Sequence, residues 1–476
     1  MSFTSALKWS FLAELSTKLI QPFVFLILAW FLTPEDFGVM TAALMVIAFS
    51  QIFWEAGMGK ALIQRQTELD AAANAAFWIN ITLAVFIVAL LYMSASSVAR
   101  NLFQDERVTA VLKVMTLQVI LGALGSVQSA LLQKDMGFKK LFWIRFSTVS
   151  LPGLASVPLA WHGLGYWALV VGTLFGQLVQ VFMLWRMSKW KPCFGFDGKV
   201  AIELSRFGAW VGITGLLVWF YQWADAFVVG FYLGGHELGL YRMGNQLVGF
   251  VFALLIVPIL PVIYSVLASS GFDKNNYGIA YNDLINKLVQ VGIVLGVLVC
   301  VAFLGGAEFI LGDSWKGVGV IAAMFGLIHG FAWIVGFNGE YYRAAGMPHL
   351  ETLALVVSMP LYLACYVYFA AIGLQEFLYA RFFLVFIGIL VHLLFISKVL
   401  SVDFSRLGRN FLITSIVAFF GFLVGVILND YIEDGMIKLF IIEVSVLLVF
   451  VAGLMMLNKK EFLLIICSIS VMGKKK

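Results

Sequence analysis

"FLTPEDFG" (31–38) is a polar break in an otherwise apolar stretch, and the phrase returns loosely as "YLGGHELG" (232–239). At a shift of 201 residues Leu32 falls on Leu233, Asp36 on Glu237, Gly38 on Gly239 and, upstream, Trp9 on Trp210. Each copy joins two long apolar runs, so the chain turns the same kind of corner twice. A second echo agrees: "LQKDMGF" (132–138) and "YRAAGMP" (342–348) each end an apolar run, with Lys134 opposite Arg343 and Gly137 opposite Gly346. Glycine and acidic residues favour any turn, but both echoes return at the same period of six apolar runs.

Composition says what those runs are. Hydrophobic residues make up 62% of the 476 and charged residues 12%, with a mean hydropathy of +0.98; a soluble domain carries about 25% charge. The apolar residues come in blocks of roughly 20, the length that crosses about 30 Å of hydrocarbon. Fourteen such blocks lie between residues 4 and 456. Backbone groups in lipid must be satisfied within a segment, and the short alternating strands of a barrel are missing, so the blocks are helices. The fold class is an all-α polytopic membrane protein with about fourteen transmembrane helices. The start of the chain lacks a basic region, a short apolar run and a cleavage site, so the first span is expected to be retained.

With both termini on one side, about two thirds of the 31 Lys and Arg fall in the loops and tail of that side, and the opposite loops are acidic (Glu35, Asp36, Asp105, Glu106, Glu308). By the positive-inside rule both termini are cytoplasmic, so the net charge of +5 is a topology signal and not a nucleic-acid footprint. The six-run period divides the chain into an N-terminal lobe (1–187), a basic cytoplasmic linker (188–203), a C-terminal lobe (204–400), and two further spans with a basic tail (401–476). Six is even, so both lobes enter the membrane in the same direction, as in transporters built from parallel repeats. The two longest cytoplasmic connections, 188–203 and 268–283, have room for one interfacial helix each. No loop is long enough to hold a folded catalytic domain.

The stretch "FLTPEDFGVMTAALMVIAFSQIFWEAGMGKALIQR" (31–65) resembles the start of polysaccharide exporters of the multidrug/oligosaccharidyl-lipid/polysaccharide (MOP) flippase superfamily, in the colanic-acid/O-antigen branch. "AFWIN" (76–80), "SALLQKDMGFKKL" (129–141) and "LGLYRMGNQL" (238–247) resemble the same family, with a departure at Arg242, where a small or polar residue is expected. The resemblance implies a bacterial inner-membrane protein that is not an enzyme and needs no cofactor. It would flip undecaprenyl-pyrophosphate-linked oligosaccharides from the cytoplasmic to the periplasmic leaflet, alongside polysaccharide polymerase and export machinery. Binding alone drives no net export, so an H⁺ or Na⁺ gradient is expected to bias the alternating-access cycle.

Charges inside the hydrocarbon cost about 2.5–3.5 kcal/mol each on insertion scales, so each needs a reason. Span 1 holds Lys8, Glu14 and Lys18. Glu14 and Lys18 share a helix face and form either a self-neutralising pair or, for Lys18, a pyrophosphate-attracting group in a cavity; Lys8 snorkels. Asp225 and Arg242 sit at similar depth either side of the second corner and are placed to pair, as a structural pin or as a gate. Glu14 and Asp225 are the candidates for carrying the coupled ion. Glu340 and Arg343, at the inner end of span 10, either hold headgroup phosphate or flank the membrane. "VWFYQWADAF" (218–227) offers Trp219, Tyr221 and Trp223 for stacking on sugar rings, with Gln222, Asn245 and Gln246 for hydroxyls; packing and interfacial belts explain such aromatics equally well.

Other signals point away from chemistry. "GMGK" (57–60) lacks the upstream glycine and the following Ser or Thr of a phosphate loop. The five histidines and four cysteines show no metal or disulfide spacing. A polyprenyl-phosphate glycosyltransferase with Glu35 and Asp36 as its acidic pair competes poorly, because turn chemistry after Pro34 explains both residues. A relative with other cargo, either lipid II or a small cation for antiport, is the alternative transporter.

Overall fold

The computed structural model describes residues 3–55, 57–195, 197–256, 274–432 and 435–463. Where described, the apolar blocks fall on helix, with one of them broken by a turn. Two compact units result, Met1–Arg242 and Met243–Lys476.

The first unit contains α1 (Phe3–Phe31), α2 (Pro34–Glu55), α3 (Met58–Gln64), α4 (Leu69–Val98), α5 (Arg107–Lys134), α6 (Phe138–Trp161), α7 (Tyr166–Met187) and most of α8 (Gly198–Ile256). Helix α5 is the hub, packed on α2, α3, α4 and α7, while α1 lies along α6. Lipid supplies no hydrophobic force between helices, so close approach depends on small side chains. Ala72, Ala73, Ala75 and Ala76 of α4 are fully buried in the cluster that holds α3, α4 and α5 together. The linker is no interfacial helix. Residues 188–197 contain no helix among those described, and Gly198 already begins α8. The segment is held extended on α4, where Trp78 Nε1 donates to the Cys193 carbonyl at 2.9 Å and Asn74 Oδ1 accepts the Cys193 N–H at 2.9 Å.

Both corners are sharp. Thr33 and Asp36 bond reciprocally at the start of α2: Asp36 Oδ2 accepts the Thr33 N–H at 3.0 Å, and Thr33 Oγ1 accepts the Asp36 N–H at 3.4 Å, as in a capping box. Asp36 Oδ1 also accepts the first N–H of α7, from Tyr166, at 2.9 Å. Its lone pairs thus serve backbone amides, the turn role read from Pro34. The second corner is a break inside α8 at Gly234, whose φ of 86° suits glycine.

The second unit contains α9 (Lys274–Leu311), α10 (Val318–Ala332), α11 (Asn338–Ala344), α12 (His349–Ala370), α13 (Leu374–Val399), α14 (Phe404–Tyr431) and α15 (Met436–Leu457). Its tightest pair is α9 on α10. Gly292 and Gly296 face Gly326 and Gly330, two G-x-x-x-G ridges so close that a Cβ on Gly292 would stand 2.6 Å from the Gly330 carbonyl oxygen. Span 10 is interrupted between α10 and α11 by the turn Trp333–Phe337. The two spans outside the six-run repeat, α14 and α15, pack on α9 around a buried amide network. Gln290 and Asn458 donate to Asn410 Oδ1 at 2.9 and 2.6 Å, and Asn410 donates to the Asn286 carbonyl and side chain at 2.8 and 3.0 Å. A carboxyl oxygen of Glu443 on α15 is buried without a partner among the described residues.

The turns after α5 and α11 are the same Schellman motif. Gly137 N–H bonds to Leu132 O and Met347 N–H to Tyr342 O, both at 2.8 Å, and Met136 and Gly346 take the left-handed position with φ of 55° and 71°. Met136, not Gly137, is therefore the counterpart of Gly346, one residue off the register read from sequence. Cys193, Cys300 and Cys365 are free; Cys467 and the basic end of the tail lie outside the described residues.

Candidate functional site

Within the first unit the two repeated corners meet. A Cβ at Gly38 would overlap the Gly235 carbonyl oxygen, and one at Gly239 would overlap that of Pro34. Shifted by the repeat period of 201, residue 34 becomes 235 and 38 becomes 239, so each contact is the other's equivalent. Glu35 and His236, themselves equivalents, touch at 2.6 Å. The corners thus form a self-complementary contact about a local two-fold, the isologous geometry of a symmetric dimer interface, inside one chain.

At the far end of α2 lie two chambers. The first, about 290 Å³, is lined from one side by Gln51, Glu55 and Lys60 and from α8 by Val211, Gly212, Gly215, Val218, Trp219, Gln222 and Trp223. These α8 positions recur at helical spacing, which puts them on one face. Trp219 is fixed there, its Nε1 donating to the Met45 carbonyl at 3.2 Å and its ring edge-on to Phe49. Tyr221, two residues from Trp219, is rotated to another face and 61% exposed; it does not line the chamber.

The second chamber, about 420 Å³, lies between α2, α3, α5 and α7 and shares Gln51, Glu55 and Lys60 with the first. Five glutamines (51, 118, 133, 177 and 180) and Ser126 and Ser129 line it. The left-handed Gly57 (φ 66°) ends α2 and starts α3, carrying Lys60 to both chambers. Gln51 Nε2 donates to Glu55 Oε2 at 2.6 Å. Two buried atoms of the lining, Trp54 Nε1 and Gln118 Oε1, have no partner among the described residues. An orphaned buried polar group costs about 1–3 kcal/mol.

The remaining candidates fall elsewhere. Asp225 is 6% exposed. Tyr241 donates its O–H to Asp225 Oδ2 at 2.7 Å, and Asp225 Oδ1 accepts the Ala226 N–H at 2.7 Å. Arg242 lies over the Trp223 ring at 4.7 Å and interacts with Asp225 electrostatically. Lys18 is half-buried on α1 and lines neither chamber; the side chains of Lys8 and Glu14 lie outside the described residues. In the second unit Asn245 Oδ1 meets His329 Nε2 at 3.1 Å, and Arg343 pairs with Glu340 at 2.7 Å and Glu351 at 3.0 Å. Sequence reading missed the glutamines. It weighed formal charges in the spans and set Lys60 aside with the failed phosphate-loop pattern. The signal was present as uncharged polar residues at 118, 126, 129 and 133 on one face of an apolar helix.

A family model described as polysaccharide biosynthesis protein matches residues 27–319. The teichuronic acid biosynthesis protein TuaB of Bacillus subtilis is 24% identical over 443 residues, 88% of each chain. The succinoglycan biosynthesis transport protein ExoT of Rhizobium meliloti is 27% identical over 267 residues, 56% of this chain and 54% of that one. The lipopolysaccharide biosynthesis protein WzxC of Escherichia coli is 21% identical over 323 residues, 66% and 64%. Among solved structures, the lipid II flippase MurJ in an inward closed conformation matches with a TM-score of 0.75 at 16% identity, covering 95% of this chain and 99% of that one. An inward-facing multidrug transporter of the MOP superfamily matches at 0.61, covering 81% and 98% at 12% identity. These two share the fold.

Proposed function

Because the chain belongs to the polysaccharide biosynthesis protein family, we propose that it carries an undecaprenyl-pyrophosphate-linked oligosaccharide from the cytoplasmic to the periplasmic leaflet by alternating access. The observation that carries this reading is the arrangement along α2. Its first turn is clasped to the equivalent corner of α8, and its last turn opens onto a polar chamber. Its 22 residues at about 1.5 Å each put the two ends on opposite faces of the bilayer. The chamber end carries Lys60, Arg65, Lys134 and Lys140 and is taken as cytoplasmic, with both termini; the clasped end carries Glu35, Asp36 and Asp105. Corners clasped at one end of α2 and a polar-lined chamber at the other suit one half of such a cycle.

The pairing of equivalent corners supports lobes at 1–187 and 204–400 that rock about the local two-fold. The names of TuaB, ExoT and WzxC, of sugar-polymer biosynthesis or transport, support a saccharide cargo. Trp219, Gln222 and Trp223 line the first chamber, and Lys18, Arg242, Arg343, Tyr221 and Asn245 are proposed contacts for other parts of the lipid. Glu14 and Asp225 are proposed as carriers of a coupled H⁺ or Na⁺.

The test is translocation in proteoliposomes of the purified full chain. A polyprenyl-diphosphate-linked oligosaccharide should become accessible to an impermeant sugar oxidant from the opposite leaflet, faster under an imposed ion gradient. Translocation of lipid II alone, or of a dye cation alone, would replace the proposed cargo. An unchanged rate after proton and sodium gradients are collapsed would refute the coupling.

A further inference from the structure

We infer that the glutamine-lined chamber between α2, α3, α5 and α7 is a subsite for an uncharged, hydroxyl-rich sugar ring of the carried glycolipid; this rests on the flippase reading above. Its volume of about 420 Å³ lies within the roughly 300–1,000 Å³ of small-molecule sites. A primary amide both donates and accepts, as a sugar hydroxyl does, and five amides converge here from three helices.

The unpartnered atoms point the same way. Trp54 is 5% exposed, yet its Nε1 has no acceptor among the described residues; Gln118 Oε1 likewise has no donor. The lining residues thus include one buried donor and one buried acceptor without a protein partner among the described residues. Gly122 brings the rest together. A Cβ there would be 2.8 Å from two ring atoms of Trp54 and 3.5 Å from Gln177 Nε2, so the indole and an amide close on the same bare stretch of α5.

Charge narrows the ligand. Glu55 and Lys60 both line this chamber and its neighbour. Their opposite charges cancel, so the lining has no net charge to select a phosphate or a cation. A neutral ring needs none, and Glu55, an acceptor on two oxygens, suits its hydroxyls.

The experiment measures equilibrium binding to the full chain in nanodiscs, with three probes of one tail length: a short polyprenyl diphosphate bearing a neutral hexose, the same lipid bearing a hexuronic acid, and the bare lipid diphosphate. The wild type should bind the neutral hexose lipid about tenfold tighter than the bare lipid, the worth of about two net hydrogen bonds. The Gln177→Leu/Gln180→Leu variant should lose that preference to within about twofold while binding the bare lipid as the wild type does, which also shows it folded. A wild type without preference, a variant that retains it, or a hexuronate lipid bound tighter than the neutral one would each overturn the subsite. Translocation in the same preparation separates the two readings. Flipping without sugar discrimination keeps the flippase and rejects the subsite, whereas discrimination without flipping keeps the subsite and rejects the flippase.

Discussion

Alanine at Gly239 tests whether the clasp between the two corners is a real closure. Taken alone, the change favours folding, since Ala is better than Gly in a helix by about 0.5–1 kcal/mol. The new Cβ, however, would overlap the carbonyl oxygen of Pro34. That oxygen belongs to the first residue of α2 and cannot swing aside as a flexible side chain would, so the corners must part. Overpacking of this kind costs typically about 1–3 kcal/mol, which lowers the clasped-to-open ratio about 5–150-fold. Gly38→Ala makes the equivalent overlap with Gly235 and should act alike. Gly235→Ala is the control, because its Cβ would meet only Asp105 Oδ2 at an ordinary 3.5 Å. The assay is the rate of disulfide formation between cysteines placed by Glu35→Cys and His236→Cys, in a background where the exposed Cys193 is serine. Gly239→Ala should slow it, by up to that factor, and Gly235→Ala should leave it unchanged. Equal rates in parent and Gly239→Ala, or equal slowing by the control, would refute the argument.

Two further changes probe single contacts. Tyr241→Phe removes the hydroxyl that donates to the buried Asp225 at 2.7 Å; at about 1–3 kcal/mol for a buried acceptor left short, it should lower the thermal midpoint of the purified protein by several degrees, and an unchanged midpoint would show the bond to be unimportant. Asn410→Leu removes the acceptor of Gln290 Nε2 and Asn458 Nδ2 and the donor to Asn286 Oδ1 together. It should destabilise the protein more than Tyr241→Phe does, with α14 and α15 becoming protease-sensitive first.

Much of the architecture was legible because lipid leaves few choices. Apolar blocks of spanning length must be helices, and the return of "LTPEDFG" as "LGGHELG" marked two equivalent corners. The second echo was legible only in outline. A left-handed turn position attracts glycine but does not require it, and Met136 holds that position where Gly346 does in the other copy. The aromatic stripe of α8 divides by helical spacing. Trp219, Gln222 and Trp223 share the lining face, and Tyr221, chosen for its chemistry, is turned away by helical spacing. The amide network explains spans 13 and 14, which match nothing internally: Asn286, Gln290, Asn410 and Asn458 lie far apart in sequence and converge through packing alone.

By itself, then, the sequence determined the solvent, the helices, and that one corner is used twice, because hydropathy and turn chemistry act over a few residues. Only the tertiary structure decided that the corners touch as equivalents, Glu35 on His236 and Gly38 on the carbonyl of Gly235, and that glutamines of three helices face one chamber. A contact across 201 residues depends on which helix faces pack together, and that is set by the shape of the assembled side chains rather than by any local pattern.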